Sequence, residues 1–180
     1  MDAKVRNRII EIFEKHRAVP GAAYEEKHFL DFLLAAPGKK DAVYNRLGGT
    51  RRLMAFVNEV QYDFAVCFSM ADYEANYPLD QFTDRVLELQ KSPRGSLQSL
   101  NNQVKAGGGW PVLVVADFLL LLAAVRARNS TSLLAVVGGV AVISNAWFVW
   151  FVWKARTYLA RLRVRIMTVD RAAVGSTAQA

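Results

Sequence analysis

Apolar residues in the first ninety positions recur at helical spacing, and from Trp110 onward they fill whole segments. Residues 3–17 place Val5, Ile9, Ile10, Ile12 and Phe13 on one face, with Arg6, Arg8, Glu11, Glu14 and Lys15 free to face water. That pattern predicts an amphipathic helix ended by Val19-Pro20-Gly21. His28 to Ala36 is a second apolar stretch, read as a short helix closed by Pro37-Gly38. Lys39 to Gly49 reads as a loop ending in paired glycines, with Thr50 as the cap of a helix from Arg51 to about Val66. Leu53, Phe56, Val57, Val60 and Phe64 form the core face of that helix. After a turn at Ser69, a short helix is expected over Asp72–Asn76, and Pro78 opens a last one carrying Leu79, Phe82, Val86 and Leu89. The segment 91–109, rich in Ser, Asn, Gln and Gly, reads as a linker, with Gly107-Gly108-Gly109 as a hinge.

The remaining pattern is of another kind. Trp110 to Val125 contains a single charge, Asp117. With the preceding Ala-Gly-Gly-Gly it reaches about 20 residues, enough at ~1.5 Å each to cross a hydrocarbon core of ~30 Å. Leu133 to Trp153 has a similar reach and no charge. Arg126 to Ser132 lies between the two, so they are expected to form a helical hairpin across a membrane. The domains expected are a helical domain at 1–90, a linker at 91–109, a transmembrane hairpin at 110–153, and a basic juxtamembrane helix and tail at 154–180. Val174 to Ala180 is read as a disordered end.

Charge fixes the expected orientation. The net charge is +7, yet residues 1–100 hold 14 basic and 14 acidic side chains. The excess therefore lies near the apolar runs, which points to a membrane with anionic headgroups and not to nucleic acid. Lys154, Arg156, Arg161, Arg163 and Arg165 follow the second run, whereas the turn carries only Arg126 and Arg128. The bias of basic residues toward the cytoplasm then places both termini inside, in a bacterial-type inner membrane spanned twice. Trp110, Trp147, Trp150 and Trp153 would mark the cytoplasmic interface.

Candidate chemistry is sparse. Two histidines, His16 and His28, stand without a Cys or His cluster, so no metal is expected. Cys67 reads as a small buried hydrophobe, which suits a reducing compartment. No phosphate loop, nucleophile-base set or paired-carboxylate constellation is evident. Asp117 is the exception, because a carboxyl group inside a bilayer needs a partner. Counted from the turn, it is offset from Asn145 by ~6 Å, so Ser144 or Asn145 would meet it only after the helices slide. It is read either as a contact or pore-lining group, or as a residue satisfied within the hairpin. Ala135 and Gly139 form a spacing that permits close helix approach.

The order long helix, long loop, Leu-Gly, hydroxyl residue, helix, short helix, final helix resembles an acyl carrier protein from about Val5 to Leu89. Arg46-Leu-Gly-Gly-Thr-Arg-Arg-Leu53, with Phe56-Val57, Val60, Asp63-Phe64 and Phe68, is similar to the family's Asp-Leu-Gly-x-Asp-Ser-Leu signature and the apolar spacing after it. Pro78-Leu-Asp-Gln-Phe82 looks like the entry to the family's last helix. The resemblance places Thr50 at the serine that receives phosphopantetheine, with Gly49 in place of the aspartate and Arg51 in place of the leucine. It implies an all-α, four-helix carrier-like domain that has lost its prosthetic group, so no cofactor is expected. Arg51 and Arg52 would serve as contact residues in place of the family's acidic surface, beside Asp117 and Asn145 in the hairpin.

The expected function is non-catalytic: an accessory or docking subunit of a larger membrane assembly. One alternative is a membrane effector that self-associates through its helical domain and forms a pore with its hairpins. A further alternative is a membrane-tethered acyl carrier acting through Thr50.

Overall fold

The computed structural model describes residues 2–34, 42–75, 77–106, 110–126 and 130–177. All regular structure among them is helical, as the periodicity requires. The chain divides into two compact units, one made of residues 1–100 with 162–180 and the other of residues 101–161.

The first unit begins with α1 (Ala3–His16), capped by Asp2, whose carboxylate accepts from the Lys4 amide at 3.0 Å. A 3-10 turn (Glu26–His28) and α2 (Asp31–Leu34) stand where one short helix was expected over 28–36; residues 35 and 36 lie outside the described ones. Next come α3 (Ala42–Phe64), α4 (Met70–Glu74) and α5 (Leu79–Lys91). Their apolar faces meet in an aromatic cluster. Phe29 is fully buried with its ring 5.5 Å from Phe13, 6.1 Å from Phe56 and 5.6 Å from Phe82, all steeply inclined. Edge-to-face packing of this kind places the positive ring edge against the negative face. Ile9, Ile12, Val60, Val86 and Leu79 complete the core.

The helix start expected at Arg51 is corrected. α3 begins at Ala42, so Thr50 sits inside a helix and does not cap one, and the part of the expected loop from residue 42 on is helical. Lys39, Lys40 and Asp41 lie outside the described residues. Two contacts explain why the glycine pair does not break the helix. A Cβ on Gly49 would come within 2.2 Å of the Leu34 carbonyl oxygen, so the bare glycine lets the end of α2 press against α3. Arg52 Nε then donates to the Leu33 carbonyl at 2.9 Å, satisfying an oxygen that a helix end leaves open. At its far end α3 stops on Ala65, whose φ of 53° is left-handed, while the Val66 amide bonds the Gln61 carbonyl at 3.0 Å.

The stretch read as linker is helical as well: α6 runs from Pro93 to Ala106, leaving 107–109 outside the described residues. Proline suits a first helical turn, and Leu97, Leu100 and Val104 follow at helical spacing. The apolar runs form α7 (Trp110–Arg126) and α8 (Thr131–Thr177). α8 therefore continues unbroken through the basic segment, and the expected disordered end is helical as far as Thr177. Residues 178–180 lie outside the described ones.

Adjacent glycines in α3 should respond oppositely to substitution. Gly49→Ala forces a Cβ against backbone and should lower unfolding stability by about 2–4 kcal/mol. Gly48→Ala meets only the Arg52 Nη1 atom at 3.5 Å. It should be neutral or gain up to about 1 kcal/mol from helix propensity. Denaturant melts of the two variants check both signs.

Candidate interaction surfaces

Several charges of residues 1–100 pair with one another. Arg6 of α1 pairs with Glu26 and with Asp80 of α5. Arg8 reaches Asp63 of α3 at 2.6 Å, and Lys15 reaches Glu59 at 2.8 Å. His16 Nε2 lies 2.7 Å from the other Glu59 oxygen. Burial alone would raise the Glu59 carboxyl, but hydrogen bonds from Lys15 and His16 outweigh it and hold the group below its usual range. Arg17 is sandwiched 5.2 Å from the Phe13 and Tyr24 rings and donates to the Ala22 carbonyl, so its charge is enclosed and satisfied.

Asp72 is the most enclosed carboxylate of this network, with 4% of its side chain exposed. Ser69 and Asp72 form a reciprocal cap on α4, and Arg85 of α5 donates to Asp72 Oδ1 at 2.8 Å. Burial opposes ionisation here, but the bonds from Arg85 and Ser69 prevail and depress the carboxyl below its ordinary 3.8. The sequence reading passed over this site, although Ser69-x-x-Asp72 ahead of a helix is itself a capping signature.

Among the described residues, no group of three His, Cys, Asp or Glu could hold a metal ion. Cys67 is buried, and burial pushes its thiol up to about 12. An open depression between the 3-10 turn and α5 is lined by Glu25, Glu26, Lys27, Pro78, Leu79 and Asp80. Arg6 already engages Glu26 and Asp80, its two carboxylates nearest α1. Thr50 and Arg51 are exposed on the wall of α3, and Arg52 is half-buried against the end of α2. Arg52, expected as a contact residue, thus also makes a bond within the fold.

The second unit is apolar and open. Val114, Val115, Phe118, Leu119, Leu122 and Val125 of α7 are exposed, as are Val136, Val140, Val142, Ile143, Trp147 and Trp150 of α8. Half-buried positions trace one seam instead: Asp117, Leu120 and Ala124 on α7, and Val137, Ala141, Ser144, Asn145 and Phe148 on α8. In that seam Asn145 Nδ2 donates to Asp117 Oδ1 at 2.9 Å and to the Ala141 carbonyl at 3.0 Å. The offset of ~6 Å expected from equal counting does not keep the two residues apart. Asn145 lies 14 residues beyond the start of α8 and Asp117 nine before the end of α7, so α8 begins about a turn past it.

Among the described residues one helix is long and apolar enough to cross a membrane, Leu134–Arg171 within α8, and none of its apolar window is buried. The 17 residues of α7 rise about 26 Å, slightly under a hydrocarbon core of ~30 Å. Trp147 stacks on Phe151 at 5.8 Å, and Lys154 Nζ lies 5.2 Å over the Trp150 ring. Trp150, Trp153, Lys154, Arg156, Arg161, Arg163 and Arg165 are all exposed, while the Trp110 side chain lies outside the described ones. Leu162 and Ile166, in the stretch expected as a basic juxtamembrane helix, are buried within the first unit. Among the described residues, nothing lies within 4 Å of a Cβ placed on Gly138 or Gly139. Comparison with protein-family models, with curated proteins and with solved structures finds no match for the chain.

Acid should loosen the first unit in a defined direction. Asp72 and Glu59 have folded values below their unfolded ones, so their contribution is full above the ordinary carboxylate range and lost as pH falls through it. Thermal unfolding of the full chain in detergent should drop steadily below about pH 4.5. Asp72→Asn should cost about 2–4 kcal/mol at neutral pH and flatten the acid limb.

Proposed function

We propose that this protein is a non-catalytic, membrane-anchored accessory subunit that docks onto a larger membrane assembly. The observation that carries the reading is the exposed apolar surface of α7 and α8, interrupted by one polar pair. Water would make such a surface an aggregation site, and acyl chains would cover it without any further protein. The two helices would form a transmembrane hairpin, with α7 seated where the bilayer thins. The basic side chains after Trp153 favour cytoplasmic termini in a bacterial-type inner membrane.

The reading of the helical unit as a degenerate, unloaded acyl-carrier-like domain rests on its sequence pattern, since α3 runs through the stretch where the carrier's loop was expected. Thr50 is a secondary hydroxyl within α3 beside Arg51 and Arg52, where a basic loading enzyme would meet like charge. The hydrogen bond between Asp117 and Asn145 supports anchoring, since the carboxylate already has a partner in its own chain. A carboxyl group at this depth also favours a second reading, in which self-associated hairpins line a cation-conducting pore.

Asp117 separates the two. In liposomes the wild-type protein should give no ion flux, Asp117→Asn should be tolerated because an amide keeps the hydrogen-bonding capacity, and Asp117→Leu should weaken partner association. A robust wild-type current whose selectivity changes in Asp117→Asn would replace docking with a pore.

Topology gives the other test. A cysteine at Ser130 should react with an impermeant reagent in intact cells, while one at Ser176 should stay protected until the membrane is opened. The reverse labelling pattern would place the helical unit outside.

A further inference from the structure

Resting on the membrane reading above, we propose that α8 carries a binding surface for anionic phospholipid headgroups, centred on Lys154, Arg156 and Arg161, with Arg163 and Arg165 outside direct reach. The first ground is pairing. Arg6, Arg8, Arg17 and Arg85 of the helical unit each hold a carboxylate. Among the described residues, none of Lys154, Arg156, Arg161, Arg163 and Arg165 forms an ion pair, and all five are exposed. Their charge therefore remains available to anions outside the chain.

The second ground is arrangement. At ~100° per residue, Trp147, Trp150, Lys154, Arg161 and Arg165 fall within an arc of about 60° on α8, while Arg156 lies about 150° from its centre and belongs to the surface by depth alone. The buried Leu162 and Ile166 lie about 110° away, so packing inside the protein leaves this stripe uncovered. Aromatic rings come first along the stripe and cations after, the order of an acyl boundary followed by phosphates. Lys154 sits over the Trp150 ring at 5.2 Å, which holds the first cation at the boundary.

The third ground is reach. Side chains on a helix tilt toward its N-terminus, which on α8 is the direction of the apolar span. With the boundary at Trp153, Lys154, Arg156 and Arg161 stand about 1.5, 4.5 and 12 Å beyond it along the axis, and Arg163 and Arg165 about 15 and 18 Å. The headgroup layer is about 5–8 Å deep, and a cationic side chain stretches back about 6 Å. Arg161 is therefore the last to touch a phosphate, and the two beyond it act only through a screened field.

The test uses the full chain in bilayers of mixed phosphatidylcholine and phosphatidylglycerol, brominated on one lipid at a time. Trp150 and Trp153 lie within about 5 Å of the boundary along α8, so quenching of their fluorescence reports which lipid surrounds it. The wild type should prefer phosphatidylglycerol by about fivefold. K154Q/R156Q/R161Q should fall to no preference, and R163Q/R165Q should keep most of it. Equal quenching by both lipids in the wild type would overturn the proposal, leaving an acidic protein surface as the anion these residues await. A larger loss in R163Q/R165Q than in the triple variant would overturn the assignment of residues. If neither brominated lipid quenches at all, the membrane reading itself fails, an outcome distinct from absent selectivity.

Discussion

Exposed apolar side chains dominate the described residues of α7 and the first half of α8. Folding normally removes such surface from water, and each buried side chain of this size contributes about 1.5–3 kcal/mol. Here the helices satisfy their backbone groups internally, but Val142 and Ile143 remain about seven-tenths exposed, as does much of the surface around them. In that setting a polar side chain must find its partner locally. Asn145 does so twice, on Asp117 and on the Ala141 carbonyl one turn back. The polar pair thus sets the register of two helices whose apolar contacts would tolerate several.

The helical unit obeys the opposite economy. Arg6, Arg8, Lys15 and Arg85 are taken up by Glu26, Asp63, Glu59, Asp72 and Asp80, which tie α1 to α3 and α5 and tie α4 to α5. Most of these pairs are partly exposed and each contributes little. Asp72 differs because its enclosure makes the loss of Arg85 costly. With the charges of residues 1–100 balanced, the positive excess of the protein is concentrated on the exposed length of α8. The same helix then has two environments, a bare apolar portion and a portion whose Leu162 and Ile166 are buried in the helical unit.

Periodicity made α1, α5 and the core face of α3 legible, because an amphipathic helix writes its buried side into every third and fourth position. The all-helical class, the apolar runs and the concentration of basic residues after Trp153 were equally visible, since each is a property of local composition. What the sequence could not display is where one backbone meets another. Gly48-Gly49 reads as a helix breaker until Leu34 is seen against Gly49, and Thr50 reads as a cap until α3 is seen to start at Ala42. The contact between Asp117 and Asn145 depends on how far α8 overshoots α7, which counting from the turn does not reveal. Burial of Leu162 and Ile166 likewise required the fold, because their spacing suits a lipid surface as well as a protein one. The sequence by itself determined which faces are apolar and where charge collects; the tertiary structure alone decided what each face meets, because that choice depends on the approach of segments far apart in the chain.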